Sequence, residues 1–146
     1  MNNDNVVALG QLNIILRAHN GHVKENITVP NIVVATGKAL IASRLTGTAA
    51  AVMSHMSVGS GVVAPNTSQT ALTAESGRAV LISTTAVGNV VTYTATFPAG
   101  VGTGAVNEAG IFNAASNGIM LSRTTFNVVN KDSTDSLTIS WAITIN

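Results

Sequence analysis

The chain contains no cysteine, so disulfide frameworks, thiolate metal sites and cysteine nucleophiles are excluded. Aromatic residues make up 3% of it, which is too few for a platform that stacks nucleic-acid bases. Charged residues make up only 9%, and the formal net charge of +1 gives no basic patch of the kind that nucleic-acid binders carry. No apolar run approaches the roughly 20 residues of a membrane helix. We therefore expect neither nucleic acid nor a membrane as a partner.

Hydrophobic residues, by contrast, make up 46% of the 146 residues, enough for one domain with a substantial core. A free soluble protein usually keeps a charged surface, so this composition favours a chain that hides surface in an assembly. A monomer with a Thr/Ser/Asn-rich surface is the alternative. Residues 1–5 lack the basic-then-apolar layout of a signal peptide, which predicts synthesis in a cytoplasm and action there or in a particle assembled there.

Short runs rich in Val, Ile and Thr are separated by Gly, Asn and Ser clusters, a pattern typical of strands and turns. The clearest alternation lies in residues 90–97, where Val91, Tyr93, Ala95 and Phe97 share one face and threonines the other. The pattern predicts an all-β, β-sandwich or jelly-roll-like domain over residues 1–146, with about eight antiparallel strands. The predicted strands are 6–17, 23–29, 52–58, 77–85, 90–97, 105–112, 119–126 and 137–145.

Residues 37–46 break the strand pattern and predict one short helix. Leu40, Ile41 and Leu45 stand near helical spacing. Thr36 is the predicted N-cap, and Gly47 is predicted to end the helix.

The segment most suited to reach a neighbouring protein is the N-terminal hairpin, residues 6–29. Asn20-Gly21 at its tip is a strong hairpin signal. We interpret this hairpin as a candidate arm, with the predicted loops 59–76 and 98–104 as the next candidate contact segments.

The acidic residues offer little to catalysis. A glycosidase needs two carboxylates facing each other across a cleft, and outside the hairpin only Glu75 and Glu108 lie on structured segments. Each has a plausible basic partner, Arg78 for Glu75 and Arg123 for Glu108, so structural ion pairs are the better interpretation.

Histidines and glycine motifs add no reactive site. His19 and His22 flank a turn without further ligands beside them, and His55 suits a packed or interface position. The glycines of 100–104 have the wrong spacing for a phosphate-binding loop. We expect a non-enzymatic protein with no catalytic, cofactor or metal site.

Several segments carry a family resemblance, which extends over roughly residues 30–145. They resemble segments of small structural proteins in tailed-bacteriophage virions, and a similar Gly-x-Gly…Glu-Ala-Gly-Ile/Leu-Phe pattern occurs in the N-terminal regions of tail fibres. This resemblance implies a virion component assembled in the cytoplasm of a bacterial host. The segments are 31–45, 53–61, 70–72 with Glu75 and Arg78, 91–97, 107–113, 120–124 and 135–141.

The length then favours one role within that resemblance. A fibre protein would carry a long extension after its attachment domain, so a short chain suggests a capsid decoration or cement protein on the capsid surface. Its partners would be the major capsid protein and copies of itself, with trimers matching local threefold positions. It would stabilise the shell by binding the assembled form preferentially.

Two alternatives stay open. The first is a tail, baseplate or tail-fibre attachment component with tail proteins as partners. The second is a carbohydrate-binding module or hydrolase, which would need exposed aromatic side chains. Tyr93 and Trp141 both fit inward-facing strand positions instead.

Overall fold

The computed structural model describes residues 5–47 and 50–146. Residues 1–4, 48 and 49, which the predicted domain 1–146 includes, lie outside the described residues. Within these ranges the chain forms eight strands and one helix. They are β1 (Ala8–Arg17), β2 (Val23–Val33), α1 (Ala35–Arg44), β3 (His55–Gly59), β4 (Glu75–Val87), β5 (Val90–Phe97), β6 (Gly104–Phe112), β7 (Met120–Lys131) and β8 (Ser136–Ile145).

The strands close into an antiparallel barrel in the order β1-β2-β7-β6-β3-β4-β5-β8. The all-β class, eight antiparallel strands and one short helix are confirmed, whereas the predicted β-sandwich or jelly roll is wrong. Closure depends on strands that pair on both sides. β4 pairs with β3 up to Val80 and with β5 from Leu81, and a bulge between Leu81 and Ser83 bends it from one half of the barrel to the other.

The hairpin of β1 and β2 is part of the barrel wall. β1 pairs with β2 on one side and with β8 along its whole length on the other. β2 continues past its predicted end at Val29, through Pro30, until Ile32 and Val33 pair with β7. Residues 23–31 pair only with β1, and a strand with one free edge tolerates a proline. The role of this hairpin as an arm stays a prediction.

The core follows the period-2 pattern of the strands. Most inward-facing residues of β1, β5 and β8 are buried, and Trp141 lies among them with no exposed surface. Trp141 pairs with Leu12 in β1 and with Tyr93 in β5. The buried residues of these three strands are Leu12, Ile14, Leu16, Ala95, Phe97, Leu137, Ile139, Trp141 and Ile143.

Helix α1 spans Ala35–Arg44 and not 37–46, because tertiary contacts place its start. Val34 is the N-cap without a side-chain cap, and the predicted cap Thr36 donates its hydroxyl to the Met120 carbonyl instead. The Ala35 N–H donates to the Thr67 carbonyl at 2.8 Å, which satisfies a helix donor from outside the helix. Gly47 does not end the helix, but it adopts the left-handed φ of 71° in the turn that follows.

Other strand boundaries also differ from the predictions, most of all in β3, β4 and β7. β3 begins at His55, three residues later than predicted, and β4 extends beyond 77–85 at both ends. β7 continues to Lys131, five residues beyond its predicted end, because a bulge between Val106 and Glu108 in β6 keeps the two strands paired as far as Gly104 and Lys131.

Candidate functional site: a clamped loop and an apolar barrel end

Part of the outer face of the barrel is buried, along β3, the end of β6 and the start of β7. Residues 60–74, here called the clamped loop, cover this face. Leu72 of the loop packs with Val34, Phe112 and Met120 in a second apolar cluster, separate from the main core. At Gly110, an added Cβ would lie 3.0 Å from the Leu72 side chain, so the loop lies directly on the strand. Two covered faces explain why residues 109–112 and 119–121 are apolar without alternation.

Glu108 holds the clamped loop in place. Its carboxylate is fully buried and accepts backbone N–H groups of Gly61 (3.0 Å), Thr73 (3.0 Å) and Ala74 (2.7 Å). It also accepts the Thr73 hydroxyl and two nitrogens of Arg123, Nε at 3.2 Å and Nη2 at 2.7 Å. One side chain on β6 therefore fixes both ends of the loop.

Arg123 completes this arrangement from β7, where it pairs with Gly110 on the same outer face. Its Nη1 donates to the Val63 carbonyl and to Oε1 of Gln69, both at 2.9 Å. Burial by itself would raise the pKa of the Glu108 carboxyl. The hydrogen bonds from Arg123 and from the loop backbone outweigh burial, and the net pKa is below its ordinary value. The carboxylate is thus charged and fully occupied.

The second predicted pair lies at the edge of the same face. Arg78 meets Glu75 through two bonds, Nη2 to Oε1 at 2.7 Å and Nε to Oε2 at 3.0 Å. Its Nη1 donates to the carbonyls of Ala114 and Asn117 in the loop between β6 and β7, and its guanidinium lies 4.0 Å from the centre of the Phe112 ring. Arg78 therefore connects the start of β4 to the 113–119 loop.

Sequence reasoning missed a third charged group, at the barrel end where β1 finishes. Lys24 donates to Asp135 at 2.7 Å and to Asp132 at 3.1 Å, so it ties β2 to the turn between β7 and β8. Hydrogen bonds to Asp135 and Asp132 raise the pKa of Lys24, and the bond from Lys24 together with the Asp132 N–H lowers the pKa of Asp135. The separation of 108 and 111 residues along the chain left no local signal for this group.

The histidines stand apart from these groups. His19 and His22 are exposed in the turn between β1 and β2, and Nδ1 of His55 lies 2.8 Å from the Ser54 hydroxyl. Within residues 5–47 and 50–146, no three His, Asp or Glu side chains come together as metal ligands. In the same ranges, no helix is long and apolar enough to span a membrane.

The opposite end of the barrel is apolar and partly open. Here Val7 and Asn146 exchange two backbone hydrogen bonds, and α1 lies over the barrel mouth. Two recesses, of about 230 Å³ and 390 Å³, adjoin α1 and share Ile41 and Ile145. Tyr93 lines the smaller recess, and burial raises the pKa of its hydroxyl. We call the set Val6, Val7, Ile41, Leu45, Val52 and Ile145 the apolar end.

Comparison with known protein families identifies the family to which this chain belongs. A family model described as phage tail-collar fibre protein, N-terminal, matches residues 28–144, which run from β2 to β8. No curated protein matches the chain, and no solved structure matches it. The family match supports a phage structural protein associated with the virion, as the resemblance implied. It agrees with the tail alternative and gives no support to capsid cementing. Because the match covers well over half of its residues, the chain belongs to the phage tail-collar fibre protein, N-terminal, family.

Proposed function

We propose that this chain is a non-enzymatic attachment component of a phage tail fibre, which works by presenting a rigid barrel to neighbouring tail proteins. The observation that carries the proposal is the tail-collar fibre match over residues 28–144. Tail proteins then replace the major capsid protein as the expected partners, and the tail replaces the capsid surface as the expected location.

The charged groups support a structural role. Glu108, one of two acids that sequence analysis weighed for catalysis, accepts six hydrogen bonds within the chain. Glu75, the other, is engaged with Arg78 through both oxygens. A general acid or nucleophile needs a free oxygen directed at a substrate. Glu108 instead fastens the clamped loop to β6 and β7, and Glu75 holds the guanidinium of Arg78.

The carbohydrate-binding alternative has no support from the aromatic residues. Trp141 is fully buried in the core, and Tyr93 is half-buried in the smaller recess beside aliphatic side chains. The Trp141 ring therefore presents no face on which a sugar could stack.

The copy number of this chain in purified virions tests the proposal. Quantitative mass spectrometry should give a few to a few dozen copies per particle when scaled to the major capsid protein. Gold-labelled antibodies should mark the tail in electron micrographs. A ratio near one copy per capsid subunit, with label over the head, would refute the tail location and favour a cement protein. Absence from virions would refute both.

We also propose that copies of this chain associate with one another. The low proportion of charged residues, 9%, is the feature that favours it. Sedimentation equilibrium of the purified chain measures it directly, with a trimer expected and a monomer at all concentrations as the contrary result.

A further inference from the structure

The apolar end combines recesses with protruding side chains. Leu45 at the end of α1 is 88% exposed, Val6 before β1 is 81% exposed, and Val52 is 68% exposed. Leu45 and Val6 line the larger recess, and Val52 lines the smaller one. Single exposed apolar residues are ordinary on a protein surface, but a contiguous group beside open recesses marks a contact surface.

The charged side chains that line the two recesses are both basic. Lys38 lines the larger recess and Arg44 the smaller, and both project from α1. One Arg44 nitrogen donates to the Ala50 carbonyl at 2.6 Å, which holds the guanidinium near Val52. No carboxylate from the described residues lines either recess. Among the described residues, the side chains that line the two recesses therefore form a positive rim with no Asp or Glu beside it.

The Asp and Glu side chains of the described residues are engaged or distant. Glu75 and Glu108 bind arginines, and Asp132 and Asp135 bind Lys24. Glu25 pairs with Leu16, near the end of β1 that is farthest from the apolar end. None of the four engaged groups can neutralise Lys38 or Arg44 without losing its present partner.

We infer that the apolar end binds a segment of another tail protein that carries an apolar side chain with a carboxylate beside it. This inference rests on the proposed function and names its contact surface. The apolar anchor would enter a recess, where burial supplies affinity, and the carboxylate would meet Lys38 or Arg44 at the rim, where charge supplies orientation. A second copy fits poorly, because two apolar ends face to face would bring like charges together.

Photo-crosslinking in assembled virions tests the partner. A photoreactive amino acid replaces Leu45, with a second variant at Ile82 as the matched control. Ile82 is 63% exposed on β4 and lines neither recess. We expect position 45 to yield a peptide of a different tail protein with Asp or Glu near the linked residue. A peptide of this same chain, a peptide without an acid, or no product at position 45 would overturn the inference.

Substitution tests the two chemical components separately. Leu45→Asp and the double variant Lys38→Glu with Arg44→Glu should each lower incorporation into virions at least tenfold. Ile82→Asp and Arg17→Glu are the matched controls, since Arg17 lies at the opposite end of β1, and both should incorporate normally. Incorporation is measured by mass spectrometry of virions against the wild-type chain, after urea unfolding has shown an unchanged midpoint. Normal incorporation of the apolar-end variants would overturn the inference.

The two proposals fail in different ways. If the wild-type chain is absent from tails, the proposed function is wrong. If the wild-type chain is present in tails and Leu45→Asp incorporates equally well, only the assignment of the apolar end is wrong.

Discussion

Replacing Glu108 with alanine should destabilise the barrel more than the loss of any other carboxylate in the described residues. The substitution leaves Arg123 buried without its carboxylate, and removing one partner of a buried pair costs about 3–5 kcal/mol. The N–H groups of Gly61, Thr73 and Ala74 also lose their acceptor. They can donate hydrogen bonds to water instead if the clamped loop moves away from the strands. Domains of this size are stable by about 5–15 kcal/mol, so the loss is a large share of the total.

Urea unfolding followed by Trp141 fluorescence measures the effect. For a slope of about 2 kcal/mol per molar, the midpoint should fall by roughly 1.5–2.5 M. Limited proteolysis should also cut the clamped loop, residues 60–74, earlier in the variant. The control is Glu75→Ala, whose side chain is 35% exposed, and which should cost about 1 kcal/mol or less.

A double variant separates the loss of the ion pair from the effect of leaving one buried charge without its partner. Glu108→Gln with Arg123→Met leaves no buried charge, so it should lose less stability than Glu108→Ala alone. The reasoning is refuted if Glu108→Ala costs no more than Glu75→Ala, or if the double variant is the least stable of the three.

Three further predictions concern pH, the helix contact and the core. The pKa values of Glu108 and Asp135 are lowered in the folded state, so both carboxylates stabilise the folded chain fully above about pH 4.5. This stabilisation is lost as the pH falls through the lower pKa values of the folded state. The urea midpoint should therefore be clearly lower at pH 3 than at pH 6. Gly37→Ala should destabilise by about 1–3 kcal/mol in urea unfolding, although alanine favours a helix by about 1 kcal/mol, because the new Cβ would meet the backbone of Leu121. Trp141→Ala should cost about 3–5 kcal/mol in thermal or urea unfolding, and acrylamide should quench native Trp141 far less than unfolded Trp141.

The pH prediction and the helix prediction each have a matched control. Glu108→Ala should show a smaller difference between pH 3 and pH 6 than the wild-type chain, and an equal difference would contradict the assignment to Glu108. Ala39→Gly, on the exposed side of α1, should cost about 1 kcal/mol from propensity alone. A stabilised Gly37→Ala variant, or strong quenching of native Trp141, would contradict the packing described for α1 or for the core.

Strand alternation predicted β5 and β8 well because each has one face in the core and one facing outward. The segment 90–97 coincides with β5, and 137–145 differs from β8 by one residue. Among the strands with both faces covered, β6 was predicted to within one residue, whereas β3 was harder to place. Met56–Gly59 and Ala109–Phe112 are buried throughout, and a pattern without alternation does not show which segment supplies the second cover.

The charged groups also differ in how far the sequence predicted their contacts. Glu75 and Arg78 are close in sequence, which made Arg78 a plausible partner, and the bulge opposite Val58 and Gly59 brings both side chains to one face of β4. Glu108 and Arg123 lie on adjacent strands, which a predicted hairpin can suggest. Their contacts with the clamped loop, and the meeting of Lys24 with residues more than 100 positions away, depend on barrel closure.

The sequence by itself determined the all-β class, the strand number, the inward faces of the alternating strands and the resemblance to phage virion proteins, because these depend on local periodicity and on short motifs. Only the tertiary structure decided that the strands form a closed barrel and not a sandwich. It also decided that Glu108 clamps residues 60–74 and that Leu45, Val6 and Val52 meet at one end. Closure, loop packing and clustering arise from contacts between distant residues, and these contacts leave no periodic pattern along the chain.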